Sequence, residues 1–265
     1  MKKLIAFIAV LALAVCAFAG CTPKQDLIIV AEQGSTGEKV AKENDAFKKG
    51  YTYTAVDTMT KALMEVKAGT ADVAIVDYVA SIGSIGEGTD FADLKVEGTG
   101  YNEEEYGIAF RKGSDVTNKV NEAIKTLKAN GKLAEIAKKY KLDELVTATK
   151  ETEPFTQSEE DSDWAYISGK GKMIIGITLF APMNYKDDAG ELTGFETEFA
   201  KAVCEVLGVE AEFQVIDWNS KETELKSKNI DCIWNGMTIT EERAENMSIS
   251  IPYMINKQVK VVKAN

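Results

Sequence analysis

Short apolar runs alternate along this chain with stretches that are apolar on one face only. Leu27-Ile28-Ile29-Val30 is continuously apolar, the pattern of a strand buried on both sides. Tyr51 to Val56 alternates Tyr and Thr and reads as a second strand. Asp57 or Thr58 then caps a helix to about Ala68, with Met59, Leu63 and Val66 on one face and Gly69 ending it. Val73-Ala74-Ile75-Val76 returns as a strand. The same order recurs about 160 residues later. Phe213 to Ile216 is a strand, Ser220 to Lys228 a polar helix, and Ile230 to Trp234 another strand. Two such units predict two similar lobes, each around a largely parallel sheet.

Between them, Val116, Val120, Ile124 and Leu127 share one face of a helix stopped at Asn130-Gly131, and Leu133, Ile136, Ala137 and Tyr140 carry a second. From Thr147 to Asp163 the chain changes character. Glu151, Glu153, Glu159, Glu160, Asp161 and Asp163 surround Pro154 and several Ser and Thr, so 147–163 reads as a linker whose charge keeps it solvated. Beyond it, Met173 to Ile177 is a strand, Asp187-Asp188-Ala189-Gly190 a turn, Glu196 to Val206 a helix ended by Gly208, and Val259 to Val262 a last strand.

Composition removes whole classes of function. With 265 residues there is room for one large or two medium domains. The excess of 42 acids over 31 bases gives a net charge of −11, which repels phosphate backbones and argues against a nucleic-acid partner. No histidine is present, so Ser-His-Asp and Cys-His catalysis and every His-containing zinc site are out. The cysteines at 16, 21, 204 and 232 show no CxxC spacing, and neither a metal nor a cofactor is expected. Cys204 and Cys232 sit at apolar positions, as buried free thiols or as a disulfide that export would permit.

The start of the chain reads as an address. Met1-Lys2-Lys3 precedes an apolar run from Leu4 to Gly20, too short for a membrane span but suited to a secretory signal over 1–20. Phe18-Ala19-Gly20-Cys21 looks like a bacterial lipoprotein box, with Phe18 where Leu is usual. That makes Cys21 the expected lipid-attachment site, followed by a short tether over 21–26. Ala17-Phe18-Ala19 also fits an ordinary cleavage site, so a freely secreted form competes.

The segment from Lys172 to Asn265 resembles the first lobe of bacterial extracellular solute-binding proteins of family 3, the polar amino-acid receptors of ABC importers. The resemblance rests on Gly194-Phe195, Ile216-Asp217-Trp218, Asn229-Ile230-Asp231, and above all the nine-residue run from Asn235-Gly236-Met237-Thr238 to Glu242-Arg243. Residues 27–145 resemble the rest of that family through Gln33-Gly34-Ser35-Thr36-Gly37, Ala71-Asp72-Val73-Ala74-Ile75-Val76-Asp77 and Tyr106-Gly107-Ile108-Ala109-Phe110. The lobe order is swapped relative to the family, so the resemblance implies a circularly permuted chain. The implied fold is α/β, of the two-lobed type II periplasmic-binding-protein kind: two mixed or parallel sheets flanked by helices, with a hinge and a central cleft. Lobe two would span 27–98, a hinge return and packing helices 99–146, the linker 147–163, lobe one 164–255 and a hinge strand 256–265. The hinge crossings are expected near 98–104 and 255–259.

The family's ligand is a zwitterion, which needs a cation for its carboxylate and an anion for its amine. The resemblance gives Arg243 the first role, as a planar fork, helped by the backbone N–H groups of Thr238 and Thr36, with Gly34 and Gly37 allowing close approach. It gives Asp77 the second, helped by the Thr238 hydroxyl and the Gly236 carbonyl. Ser35 and Met237 fall in the same cradle, and Phe180 and Trp218 match aromatics that sandwich the ligand side chain, with Met183 and Tyr185 in the same loop as Phe180. Glu32 falls where the family faces the ligand side chain, favouring a basic or amide group over an acidic one. Plainer readings compete. Arg243 could pair with Glu241 or Glu242 at the surface, Asp77 could simply end its strand, the aromatics could be core, and Glu32 could turn outward or pair with Lys39. The expected protein is a monomeric binding protein, not an enzyme, on the extracellular side of the cell membrane, with an amino acid and an ABC permease as partners. A sensor subunit and a dehydratase with Glu32 as its acid are the alternatives.

Overall fold

A computed structural model of the chain describes residues 26–148 and 162–264. The signal segment, Cys21, and the linker from 149 to 161 lie outside these residues. The first half runs β1 (Leu27–Glu32), α1 (Thr36–Glu43), β2 (Tyr51–Val56), α2 (Met59–Ala68), β3 (Val73–Asp77), α3 (Tyr78–Ser84), β4 (Leu94–Glu97), β5 (Glu103–Tyr106), β6 (Ala109–Arg111), α4 (Val116–Ala129) and α5 (Lys132–Lys139). The α2 boundaries follow from local chemistry. Thr58 caps the helix by accepting from Lys61 N at 3.0 Å, and Gly69 ends it in the left-handed region at φ 79°. Met59, Ala62, Leu63 and Val66 then face the sheet, each buried.

The second half runs α6 (Asp163–Lys170), β7 (Lys172–Ile177), a small hairpin of β8 (Tyr185–Lys186) and β9 (Leu192–Thr193), α7 (Phe195–Leu207), β10 (Glu210–Val215), α8 (Lys221–Lys226), β11 (Cys232–Ile233), α9 (Glu241–Asn246), β12 (Met247–Ile249) and β13 (Met254–Lys263). The helix expected from Ser220 starts as a 3₁₀ turn over Trp218–Ser220, where the Asp217 side chain accepts from Asn219 N at 2.8 Å. It closes early because Lys228 adopts φ 60°. Asp163 departs from the solvated-linker reading. It is buried and forms a two-oxygen contact with Arg111 Nε, both at 3.0 Å, at the start of α6.

The two sheets are built alike. β1 lies between β2 and β3, parallel to both, and β7 lies between β10 and β11, parallel to both. Each sheet then takes an antiparallel strand from the other half of the sequence: β13 beside β3 with β4 outside it, and β6 beside β11 with β12 outside it. The chain is thus α/β with two mixed sheets flanked by helices, joined where it passes from one sheet to the other. These passages run through Gly107–Ile108 and Ser250–Tyr253. They are bonded to each other, Ser250 N donating to Ile108 O at 2.9 Å and Tyr253 N to Tyr106 O at 3.1 Å. Next to them β5 and the first half of β13 form an antiparallel ribbon, from Tyr106↔Met254 to Glu103↔Lys257. This ribbon overlaps both stretches expected to carry the hinge. β13 is far longer than the four residues its apolar run predicts, because its first half pairs with β5 rather than with the sheet.

Candidate functional site

The C-terminal ends of β1 and β3 face the loops that follow β7, β10 and β11, and the two lobes touch there. Gly34 O accepts from Arg243 Nη2 and from Lys221 Nζ, each at 3.2 Å. Thr60 Oγ1 donates to Leu179 O at 3.3 Å, and the Thr36 and Thr238 hydroxyls lie 3.5 Å apart. Two glycines allow this approach. A Cβ on Gly83 would lie 2.5 Å from Pro182 N and Cδ, and one on Gly34, at φ 75°, would lie 3.3 Å from Asn219. The cleft is therefore closed in this structure.

Arg243 sits on α9, where Thr240 caps the helix and turns the guanidinium inward. It is 8% exposed, donates to Thr238 O at 2.8 Å, and makes no ion pair with Glu241 or Glu242, so the surface reading does not hold. Burial lowers its pKa, while Glu104 and Asp77 oppose that shift, which puts both carboxyls in its field.

Asp77 is the last residue of β3. Its position is that of a cap for α3, but its side chain makes no cap bond. Instead Tyr106 Oη donates to Oδ2 at 2.6 Å and Gln258 Nε2 donates to Oδ1. Burial, and then the Glu104 charge, raise its pKa. Glu104 Oε2 accepts from Thr238 Oγ1 at 3.0 Å and from Asn256 and Gln258, each at 3.1 Å. Gln258 also donates to Thr36 Oγ1 at 2.9 Å. Gly37 leaves room for it, since a Cβ there would come within 2.9 Å of Gln258 Oε1.

Glu32 turns inward rather than toward Lys39. It is 1% exposed, its Oε1 has no hydrogen-bond partner, and burial followed by the Asp77 charge pushes its carboxyl up to about 8. Lys221 acts on it from the facing lobe in the opposite direction. Lys221 is itself buried, donates to Trp218 O at 3.1 Å, and is pushed down to about 8 by burial and by Arg243.

The remaining expected residues divide. Thr36, Thr238 and Gly236 belong to this cluster, Gly236 at φ 53° with its N–H given to Glu196 Oε1 at 2.8 Å. Trp218 and Phe180 are buried yet border the cleft. The Trp218 ring lies under Lys221 Nζ (4.7 Å) and Arg243 Cζ (6.0 Å), and the Phe180 ring would lie 3.2 Å from a Cβ on Gly236. The structure does not bring the Ser35 and Met237 side chains to it. The Ser35 hydroxyl caps α1 through Glu38 N and donates to Glu32 O, and Met237 is fully buried in a small apolar cluster with Leu225, Ile233 and Met247. Cys204 and Cys232 are free and buried, and burial raises both thiols. Among the described residues no cluster of acids and cysteines is placed to hold a metal, and no helix is long and apolar enough to cross a membrane.

Glu104, Tyr106, Asn256, Gln258, Lys221 and Glu196 complete the site without having been singled out as site residues from the sequence. Glu196 left the clearest trace: an acid on the face of α7 that also carries Phe195, Phe199, Ala200 and Val203. Fully buried, it accepts from Gly236 N, Tyr253 Oη and Asn184 Nδ2, tying the Gly236 loop to the second passage between the lobes. Its carboxyl is pushed up to about 7 by burial.

The family described as bacterial extracellular solute-binding proteins, family 3, matches residues 173–265. Over 98 residues the chain is 36% identical to the L-cystine-binding protein TcyJ of Escherichia coli (strain K12), which covers 37% of each chain. Over 87 residues it is 41% identical to the arginine-binding extracellular protein ArtP of Bacillus subtilis (strain 168), covering 32% of this chain and 34% of that one. Among solved structures, an ABC uptake transporter substrate binding protein from Streptococcus pneumoniae with bound histidine shares 37% identity over 34% of this chain and 36% of its own, at a TM-score of 0.32. The chain thus spans about a third of the length of the curated relatives it matches.

Proposed function

We propose that this chain, whose residues 173–265 are those of a family 3 extracellular solute-binding protein, captures a free amino acid in the cleft and delivers it to an ABC importer. The observation that carries this reading is the placement on facing lobes of a buried Arg243 unpaired by its acidic neighbours and a buried Asp77 not spent on its helix, close enough for the Asp77 charge to act on Arg243. These two charges, on facing lobes, match the two ends of a zwitterion. The Gly34 carbonyl holds Arg243 in the ligand's place, and a ligand carboxylate would offer the guanidinium two parallel bonds and an opposite charge in exchange for that single contact. Glu32 supports a polar ligand, basic or amide before acidic. The relatives named above are called cystine- and arginine-binding proteins, and both of those ligands are polar amino acids.

The same reading takes the chain as a circularly permuted monomer, with lobe two over 27–98 and lobe one over 164–255. It is exported by the 1–20 signal and held at the outer face of the membrane through a lipid on Cys21. The confinement of the family match to 173–265, after the segment that carries Asp77, supports the swapped order. A dehydratase on this fold would use a protonated Glu32 as its acid, and the raised carboxyl suits that role. The facing Arg243 and Asp77 favour binding over reaction.

Thermal unfolding of the purified protein against the twenty amino acids with ornithine, citrulline and cystine tests the reading. A ligand at 100 times its Kd adds about 2.7 kcal/mol, a clear upward shift. The expected outcome is a shift by a small set of polar amino acids that Arg243→Ala removes. A flat panel, or a shift insensitive to Arg243, would overturn it.

A further inference from the structure

Five ionisable side chains around the cleft make no ion pair among the described residues: Arg243 and Lys221 on one lobe, Glu32 and Asp77 on the other, and Glu104 on the ribbon. Their layout separates charge. Arg243 Nη2 and Lys221 Nζ converge on one neutral oxygen, Gly34 O, at 3.2 Å each, over one aromatic ring, Trp218. Two buried cations sharing one carbonyl repel each other, and although carboxylates lie near both, none is within ion-pair distance of either among the described residues. A cavity of about 710 Å³ opens beside both of them, lined also by Thr36 and by Glu38, Glu222, Glu241 and Glu242, while Glu32 and Asp77 do not line it.

On the facing lobe the acids differ in how far their own chain satisfies them. Asp77 receives bonds on both oxygens, and Glu104 receives three from neutral donors on one. Glu32 Oε1 receives none although it is buried, and such an orphaned acceptor is destabilising until a donor reaches it. Glu32 and Asp77 end neighbouring strands, whose backbones run roughly 5 Å apart.

The cleft therefore holds two acid–cation couples, Asp77 with Arg243 and Glu32 with Lys221. One amino-acid head fills only one of them. A basic side chain would satisfy Glu32 and leave Lys221 beside Arg243 without a counter-charge. An acidic side chain would satisfy Lys221 and leave Glu32 without a donor.

We propose that the cleft takes an amino acid carrying a second amino-acid head, with Lys221 receiving the second carboxylate and Glu32 the second ammonium. This rests on the amino-acid-binding reading above and deepens it.

Calorimetric titration of the purified protein with four probes tests it: meso-diaminopimelate and L-cystine with two heads, L-arginine and L-glutamate with one. The two-headed probes should bind at least about tenfold tighter than either single-headed probe, the equivalent of one added charge pair. Lys221→Gln and Glu32→Gln should each shrink that preference about tenfold. The wild-type comparison needs no substitution, so it stands even where a buried-lysine variant fails to fold. Arginine or glutamate binding as tightly as the two-headed probes, or a preference that neither substitution moves, would overturn the second head. If arginine then still depended on Arg243, the amino-acid reading would survive alone. Heat from none of the four would overturn the second head, and the full amino-acid panel above would then decide the amino-acid reading by itself.

Discussion

The β1 sheet and the β7 sheet share a plan: a first strand flanked in parallel by the next two, then an antiparallel strand contributed by the other half of the chain. At the cleft the two diverge. The β1 lobe presents buried carboxyls at the ends of its strands, Glu32 and Asp77, and places the N-terminus of α1 beside them. The β7 lobe presents buried cations from the helices beyond its strands, Arg243 on α9 and Lys221 at the start of α8. The same scaffold thus yields an acid-bearing jaw and a cation-bearing jaw, and the difference lies in a few residues at or beyond the strand ends rather than in the strand cores. Neither jaw neutralises itself, which is why a ligand with both charges is proposed for them.

The comparison breaks most sharply by removing one charge from each jaw. Arg243→Ala and Asp77→Asn should each weaken amino-acid binding about 100-fold or more, since each leaves one ligand charge buried without its partner. Calorimetry on the two variants checks this, and a loss confined to one of them would mean that only one jaw grips the ligand.

Closure comes next. Gly83→Ala puts a methyl 2.5 Å from Pro182 on the other lobe, and overpacking of this kind costs about 1–3 kcal/mol. Binding should weaken about tenfold. The ligand-free melt should hold or rise, because Ala is the better helix former within α3.

The acid jaw should also show in pH. The carboxyls of Glu32 (to about 8), Asp77 and Glu196 (to about 7) are all raised on folding. The folded state therefore holds more protons than the unfolded one, so stability is fully present below about pH 4.5 and is lost as pH climbs through these raised values. Denaturant midpoints of the ligand-free protein should fall from pH 5 to pH 8, and Glu32→Gln should flatten the decline. Lys221, pushed down to about 8, acts only above that window.

The smallest effect lies away from both jaws. Thr58→Ala removes the α2 cap and should cost about 1 kcal/mol of stability while leaving ligand affinity in place. A change in affinity would mean that α2, which touches the other lobe through Thr60, sets the closed position.

Where structure is locally determined, the sequence was readable. α2 opens at Thr58 and closes at Gly69 as cap chemistry dictates, and β2 and the core of β3 fall on their apolar patterns. Elements that depend on distant partners were not. β5, β6 and β12 are three or four residues long and exist because they pair with strands more than a hundred residues away in the chain, β5 with β13 and β6 with both β11 and β12. The site divides in the same way. Arg243, Thr238, Asp77 and Thr36 were reached through motif resemblance; the structure buries the first three and sets the two threonine hydroxyls 3.5 Å apart. Gln258 and Asn256 lie on the long ribbon strand, and nothing in their neighbourhood marks them as polar ligands of Asp77 and Glu104. Lys221 looks like any lysine of a polar helix until the other lobe covers it. Met237 and Ser35 show the converse: both sit inside motifs, yet their side chains are taken up by the core and by a helix cap.

The most direct test of the two-jaw account is to titrate the purified protein with its preferred amino acid, the α-amide of that amino acid, and its N-acetyl form, each against wild type, Arg243→Gln and Asp77→Asn. The account predicts that the amide loses about 100-fold in wild type and little more in Arg243→Gln, while the N-acetyl form does the same with Asp77→Asn. An amide or N-acetyl form that binds wild type as tightly as the free amino acid would contradict it.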